Sequence, residues 1–198
     1  MSGVLYRTVP TDKIILDTNE TAARLQSKDD MHTNETVREC LDELMSVIQC
    51  KYSFVRVPVA YTDDNVLNFG FGNVKSKALC ANLKGAREVF VFAVTIGIGV
   101  DRLLVKLSRM SQSKHFITDA LASAAAEAAC DIVDSNIKGN LKCRPRFSPG
   151  YGDLPIEIQP NVLEMVNAQR LLGITLSKSY LMTPMKSITA IMGICNEQ

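Results

Sequence analysis

Two spacings of apolar residues run through this 198-residue chain, one typical of amphipathic helices and the other of half-buried strands. Spacings of three and four residues predict helices over 35–49, with an N-terminal cap at 33–36, and over 75–83, 100–110, 114–137 and 159–173. Runs of β-branched and aromatic residues predict strands over 52–61, 66–71, 88–95, 176–182 and 187–194.

The spacing of these strands predicts how they pair. Four turn residues separate 52–61 from 66–71, and Thr183-Pro184-Met185-Lys186 separates 176–182 from 187–194, so each pair predicts an antiparallel hairpin. The segment Glu88–Thr95 is apolar on both faces, which predicts a central strand. Because helices and strands are interspersed, we predict an α+β fold with a mainly antiparallel central sheet flanked by helices, in one domain over 1–198.

The helix predicted over 114–137 is rich in alanine and has an acidic flank. Alanine favours the helix and permits close packing against a neighbouring element. At about 100° per residue, one flank that no lysine or arginine interrupts carries Asp119, Ser123, Glu127, Asp131 and Asp134. We expect most of these carboxylates to be solvated, and we single out Glu127, which alanines surround, as the one that faces a ligand.

A loop rich in proline and glycine follows this helix, with the sequence RPRFSPGYGD over 144–153. The prolines fix their backbone angles, and Gly150 permits positive φ or a close approach of backbone to a ligand. Arg146 can bind a carboxylate through two hydrogen bonds, and Tyr151 can cover a planar ring. The residues leave two interpretations open: a binding loop for a small, planar, anionic ligand, or a plain connector with one surface arginine.

Composition narrows the class of protein. The chain is 46% hydrophobic, enough for a substantial core, and its net charge of +1 comes from 22 basic and 21 acidic residues. No block of like charge stands out, so we expect no nucleic-acid partner. The most apolar run, 89–100, is too short to cross a bilayer, and the N-terminus does not resemble a secretory leader. We therefore expect a soluble, cytoplasmic protein with no membrane partner.

The cysteines and histidines do not form a recognisable metal-binding or nucleophilic pattern. His32 and His115 are far apart, and neither has a cysteine at the spacing of metal ligands, so we expect no zinc or haem site and no histidine-activated nucleophile. His115 is expected at the surface or in a helix cap. Without any C-x-x-C pair, buried free thiols are expected for Cys40, Cys50, Cys80, Cys130, Cys143 and Cys195.

Three segments resemble, in order and spacing, the activation (reactivation) domain of cobalamin-dependent methionine synthase, particularly its short free-standing homologues. The alanine- and glutamate-rich helix over 120–128 precedes the loop as it does in that family. Residues 146–151, RFSPGY, fit the family's R-x-x-P-G-Y motif. Residues 172–184, LGITLSKSYLMTP, follow its pattern of a helix-ending glycine and then L-[ST]-x-S-[FY]-x-M-x-P.

The resemblance implies an activation-domain fold and a role in restoring methionine synthase whose cobalamin has been oxidised to the cob(II) form. In the family, S-adenosylmethionine donates a methyl group while an external reductant supplies one electron. By motif position, Arg146 would bind the carboxylate of this donor and Glu127 its α-ammonium, while Tyr151 would pack against it and Gly150 would leave room for it. No residue would act as an acid or base, because catalysis would consist of positioning the donor methyl against cobalt.

The chain also departs from the long enzymes of the family. It has no acidic D-W-T-P-type segment, which helps them to bind the donor. Gly152-Asp153-Leu154-Pro155 stand where they have a Cys/His-containing sequence, and Thr183 stands where they have tryptophan, so we expect a different corrin-facing surface. The chain also lacks the D-x-H-x-x-G cobalamin motif, which implies cobalamin carried by a partner, either methionine synthase or another corrinoid protein, and an unidentified electron donor.

Three functions are therefore open. In the first, the chain supports reductive methylation of cob(II)alamin on a partner, with S-adenosylmethionine as methyl donor, and this is the one that the resemblance favours. In the second, it is a non-catalytic protein that binds or caps a corrinoid methyltransferase without binding S-adenosylmethionine. In the third, it is an unrelated small-molecule-binding domain that shares the loop.

Overall fold

A computed structural model describes residues 3–16, 35–63 and 65–195. His32, Thr33 and Asn34 lie outside these ranges. The strands are β1 (Leu5–Val9), β2 (Cys50–Pro58), β3 (Ala60–Asp63), β4 (Val66–Asn68), β5 (Asn73–Lys75), β6 (Glu88–Thr95), β7 (Thr175–Leu176), β8 (Met182–Thr183) and β9 (Ser187–Ile194). The α-helices are α1 (Glu35–Val47), α2 (Lys77–Asn82), α3 (Ile98–Met110), α4 (Gln112–Lys138), α5 (Gln159–Met165) and α6 (Ala168–Leu172).

The main sheet is antiparallel throughout and has the strand order β1-β2-β6-β9. Strand β6 lies inside it, paired with β2 on one side and β9 on the other, and it is buried from Val89 to Thr95. The prediction of a central strand is therefore confirmed. A smaller antiparallel sheet contains β3, β4 and β5, and β7 pairs with β8.

Helices cover both faces of the main sheet because successive side chains of β6 point to opposite sides. Phe90, Phe92 and Val94 pack with the buried residues of α1, α3 and α4. Val89 and Val91 pack with those of α2, α5 and α6 and with the small sheet. The molecule thus has three layers with the sheet in the middle, which confirms the predicted α+β class with a central antiparallel sheet flanked by helices.

The alanines of α4 let this helix approach its neighbours closely. Ala122, Ala125 and Ala129 are fully buried in the core that α4 shares with α1, α3 and the sheet. A similarly close contact joins α3 to α1, where a Cβ added to Gly99 would lie 2.6 Å from the carbonyl oxygen of Val47. The small residues of these helices therefore set the spacing of this layer.

The first predicted hairpin is only partly correct. The strand expected over 52–61 is interrupted after Pro58, because the N–H of Val59 donates to the carbonyl of Arg87 and the chain leaves the main sheet there. Strand β3 then pairs with β4 in the small sheet, so only Ala60 and Tyr61, the last two residues of the predicted strand, belong to the hairpin. The helix expected over 75–83 begins only at Lys77, after β5 and a side-chain cap from Ser76.

The second predicted hairpin is wrong. Strand β9 pairs with β6 instead of with the segment 176–182, of which only Leu176 and Met182 belong to the short β7–β8 pair. From Ala190 to Ile194, β9 is buried on both faces, so it pairs with the central strand β6 at the edge of the main sheet, where helical layers cover both of its faces. The helix expected over 159–173 is also divided, by Asn167 at a φ of 52°, and Gly173 ends α6 at a φ of 73° as predicted.

Candidate functional site

The loop after α4 runs antiparallel along the outer edge of β9. The N–H of Arg144 donates to the carbonyl of Gly193 at 2.8 Å. Phe147 and Ile191 donate to each other's carbonyl oxygens, both at 2.9 Å. The first part of the loop therefore completes the sheet edge, and its backbone is fixed by the same hydrogen bonds that hold a strand.

The far end of the loop is attached to α2 through Asp153. Its carboxylate accepts hydrogen bonds from Ser76 Oγ at 2.6 Å and from the backbone N–H groups of Lys77 and Ala78 at 2.8 and 3.1 Å. These donors, led by Ser76, hold the pKa of Asp153 below its usual value. Asp153, noted above as a departure from the long enzymes, thus caps a helix and anchors the loop.

We expect Asp153→Ala to lower the melting temperature at pH 7 and to have little effect at strongly acidic pH. A carboxyl group with a lowered pKa contributes stability above its usual pKa of 3.8, and this stability is lost as the pH falls through the lower pKa of the folded state. Thermal unfolding at pH 7, 4 and 2 measures the effect. Glu157→Ala, at an exposed position four residues on, is the control. A melting difference that stays constant from pH 7 to 2 contradicts the role of Asp153.

Between these anchors, Arg146 turns back onto the acidic flank of α4. Its Nη1 donates to Asp131 Oδ1 at 2.6 Å and to Asp134 Oδ2 at 3.0 Å, and its Nη2 donates to Glu127 Oε2 at 3.0 Å. Burial alone lowers the pKa of Arg146, but the hydrogen bonds to Asp131 and Asp134 outweigh it and raise the pKa overall. One guanidinium thus joins the loop to three successive turns of the helix.

The expectation of a mostly solvated acidic flank is confirmed in that the side chains of Asp119, Glu127 and Asp131 are 40–68% exposed, but these carboxylates also form ion pairs. Arg146 pairs with three of its carboxylates, and Asp134 is buried. Asp119 pairs with Lys186, whose Nζ lies 2.8 Å from it and also donates to Ser123 Oγ. The flank is the surface against which the loop and the β8–β9 turn pack.

Arg146 keeps two hydrogen-bond donors that these contacts do not use. The guanidinium has five N–H groups, and three of them point to carboxylates. Its Nε–H and the second N–H of Nη2 have no acceptor within the described residues. Glu127 likewise uses only Oε2, and its side chain is 40% exposed. Both residues can therefore bind a further polar group.

A cavity of about 810 Å³ opens at this place, between the loop, strand β8 and the start of strand β9. Glu127, Arg146 and Tyr151 line it, so the structure brings these three of the four nominated residues to one cavity. Tyr151 is exposed at the rim. Gly150 is in the turn just before it, at a φ of 89°, where its N–H donates to the carbonyl of Leu154.

The other lining residues were not nominated from the sequence. Gln159 is buried beside the cavity, accepts a hydrogen bond from Thr189 Oγ1 at 3.0 Å and lies 3.2 Å from the sulfur of Met182. Met182 belongs to the segment 172–184 that resembles the family, so this segment could have indicated from the sequence that Met182 lies near the site. Besides these, the wall includes Asn82, Pro145, Phe147, Ser148, Pro149, Ile156, Tyr180, Leu181, Met185, Ser187 and Ile188.

All six cysteines are free thiols; three of them are buried and three are half-buried. Burial raises the pKa of Cys50 to about 11 and that of Cys130 to about 12, which makes both thiols unreactive at neutral pH. His115 is half-buried, with Nδ1 3.0 Å from the carbonyl oxygen of Leu104. Within the described residues, no cluster of acidic, histidine and cysteine side chains could hold a metal ion, and no helix is long and apolar enough to cross a membrane.

Comparison with known proteins identifies the fold. No protein-family profile and no curated protein matches the chain. The fold is similar to that in a crystal structure of the MetH reactivation domain bound to AdoHcy, with a TM-score of 0.73 and 13% sequence identity, over 99% of this chain and 79% of that one. The chain therefore has a methionine synthase activation-domain-like fold, as the resemblance of the loop and its flanking segments implied.

Proposed function

We propose that this chain binds S-adenosylmethionine in the cavity beside Arg146 and supports reductive methylation of cob(II)alamin on a partner, a cobalamin-dependent methionine synthase. The observation that carries the proposal is the fold, which matches a reactivation domain bound to AdoHcy along 99% of this chain. AdoHcy is what remains of S-adenosylmethionine after its methyl group is transferred. Of the R-x-x-P-G-Y motif on which the resemblance rests, every residue except Gly150 lies in the wall of the cavity.

The cavity suits this donor in size and charge. Its volume of about 810 Å³ lies within the range of roughly 300–1,000 Å³ that is common for small-molecule sites. The ion pairs around Arg146 contain three negative charges, from Glu127, Asp131 and Asp134, and two positive charges, from Arg146 and Lys138. The local charge is thus negative, which favours a ligand that carries a sulfonium and an α-ammonium.

Each nominated residue has a role that its contacts allow. The unused N–H groups of Arg146 would bind the α-carboxylate of the donor, and the unused oxygen of Glu127 would accept from its α-ammonium. Tyr151 would pack against the planar part of the donor at the rim. Gly150 supports the tight turn that carries Tyr151 to this position.

The chemistry itself would come from the donor and from the cobalamin of the partner. The methyl group leaves sulfur without its bonding electrons, an external reductant supplies one electron to cob(II)alamin, and the products are methylcobalamin and AdoHcy. The residues of this chain would orient the donor and exclude water, and none would need to transfer a proton.

One observation favours a second candidate, a non-catalytic protein that binds a corrinoid methyltransferase without S-adenosylmethionine. Arg146 already has three carboxylate partners within the chain, and these would hold the loop in place with no ligand present. In that case the loop would be a scaffold, and the cavity wall would serve another purpose.

Calorimetric titration of S-adenosylmethionine, first into the chain alone and then into its mixture with a cob(II)alamin-loaded partner, separates the two candidates. We expect saturable binding by the chain alone, and methylcobalamin formation once the partner and a reductant are added, detected by the change in the cobalamin absorption spectrum. Binding only in the mixture supports a composite site. An absence of binding in both titrations contradicts the proposal and leaves the second candidate.

A further inference from the structure

Tyr180 has a backbone conformation that tyrosine rarely adopts. Among the residues that the structure describes, three other than glycine have a positive φ: Asn65, Asn167 and Tyr180, the last at 62°. Asparagine tolerates this region, but in other residues the Cβ atom is crowded against the backbone, and a bulky residue there is an outlier. The conformation therefore costs the folded protein stability, and such costs are found most often at binding and catalytic sites.

The loop over 177–181, between β7 and β8, holds Tyr180 in this conformation. The N–H of Ser177 donates to the carbonyl of Leu181 at 2.9 Å, and the N–H of Tyr180 donates to the carbonyl of Ser177 at 3.1 Å. Ser177 Oγ accepts from the N–H groups of Ser179 and Leu181 at 3.3 and 3.1 Å. Because all of these bonds come from backbone N–H groups, the loop closes without any contribution from the side chain of Tyr180.

The side chain of Tyr180 is not part of the hydrophobic core. Leu176 and Met182, on either side of the loop, pack against the core on the α2 and α5 side of the sheet, whereas Tyr180 belongs to neither core cluster. Its hydroxyl makes no hydrogen bond, and its ring stacks on no other ring, within the described part of the chain. The half-buried ring instead lines the cavity, together with the rings of Phe147 and Tyr151. Neither core packing nor hydrogen bonding within these residues therefore accounts for a tyrosine at this position.

We propose that Tyr180 is a ligand-binding residue whose ring contacts the S-adenosylmethionine bound in the cavity, an inference that rests on the proposed function and adds a residue to its site. The faces of an aromatic ring bind planar rings and cations, and the donor carries both an adenine ring and a sulfonium. Glycine or asparagine at position 180 would reduce the strain, but either would remove this part of the cavity wall. The unfavourable backbone conformation is thus retained where it brings an aromatic surface to the ligand.

Calorimetric titration of S-adenosylmethionine into Tyr180→Asn tests this inference, because asparagine accepts the same backbone conformation and lacks the ring. We expect the affinity to fall by about tenfold, the effect of one aromatic contact, while the melting temperature is not lowered. Tyr180→Phe retains the ring and should bind as the wild-type protein does. Lys178→Ala, at an exposed position of the same loop outside the cavity wall, is the control and should also leave the affinity unchanged.

Tyr180→Gly is the second variant in case Tyr180→Asn does not fold, since glycine adopts a positive φ without strain. Unchanged affinity in the variants that lack the ring overturns the role of Tyr180 and leaves the proposed function intact. A loss of affinity that occurs only together with a lower melting temperature also overturns it, because the ring would then serve the loop rather than the ligand. If the wild-type protein does not bind S-adenosylmethionine, alone or in the mixture with the cob(II)alamin-loaded partner, the proposed function fails and the inference fails with it.

Discussion

Replacing Arg146 with alanine should lower the free energy of unfolding by about 2–3 kcal/mol and abolish binding of S-adenosylmethionine. Removing one partner of a fully buried ion pair costs about 3–5 kcal/mol. Because Arg146 is partly exposed, we expect a smaller loss of stability here. The variant leaves the buried carboxylate of Asp134 with Lys138 Nζ at 3.7 Å as its remaining basic partner. Urea unfolding and calorimetric titration at pH 7 measure the two effects.

Arg144→Ala is the matched control for this prediction. Its guanidinium donates to the carbonyl of Lys84 at 2.9 Å and contacts no carboxylate within the described residues, so we expect a loss below about 1 kcal/mol. Equal losses in the two variants contradict the anchoring role of Arg146, and undiminished ligand binding contradicts its role in the site.

Arg146→Lys separates charge from geometry at the same position. Lysine keeps the positive charge but lacks the planar fork that reaches Glu127, Asp131 and Asp134 together. We expect this variant to recover part of the stability and little of the ligand affinity. Full recovery of both would mean that charge alone matters here.

Ala125→Leu should destabilise the protein by about 2–3 kcal/mol, because Ala125 is fully buried where α4 packs in the main core. The larger side chain cannot fit without a shift of α4, and a shift would move Glu127 relative to Arg146. We therefore expect weaker binding of S-adenosylmethionine as well as a lower urea midpoint.

Ala120→Leu, at a half-buried position of the same helix, is the control, since it makes the same change in helix propensity. We expect it to cost less than about 1 kcal/mol and to leave ligand binding unchanged. Similar losses in both variants would contradict the close packing assigned to Ala125.

The fold class follows from local sequence patterns, whereas strand pairing does not. Strand β6 is recognisable because it is apolar on both faces, and α4 because alanine dominates it. The partner of β9 is not recognisable, because the apolar pattern that places β9 in the sheet does not say which strand lies beside it. Strand β1 was missed because four of its five residues are exposed and give no alternating pattern.

The site shows the same division. The sequence singled out Arg146 and Glu127 as candidates because the loop motif and the helix flank are local features, and the structure places both in the cavity wall. It did not indicate that Asp131 and Asp134 bind Arg146, because helical periodicity places carboxylates on one flank without saying what covers it. Asn82 gave no local signal at all, as it lies on a short helix that only the folded chain brings to the cavity.

The loop that lines the cavity is also the last strand-like segment beside β9, and this constrains any attempt to redesign ligand specificity. Shortening the loop over residues 143–147 would remove its backbone hydrogen bonds to Ile191 and Gly193 and would leave β9 with a bare, apolar edge. Exposed edges of this kind recruit other strands and promote aggregation. Directed evolution of this protein is therefore safer at side chains that reach the cavity from α2, α5 and the β7–β8 pair than in the loop backbone.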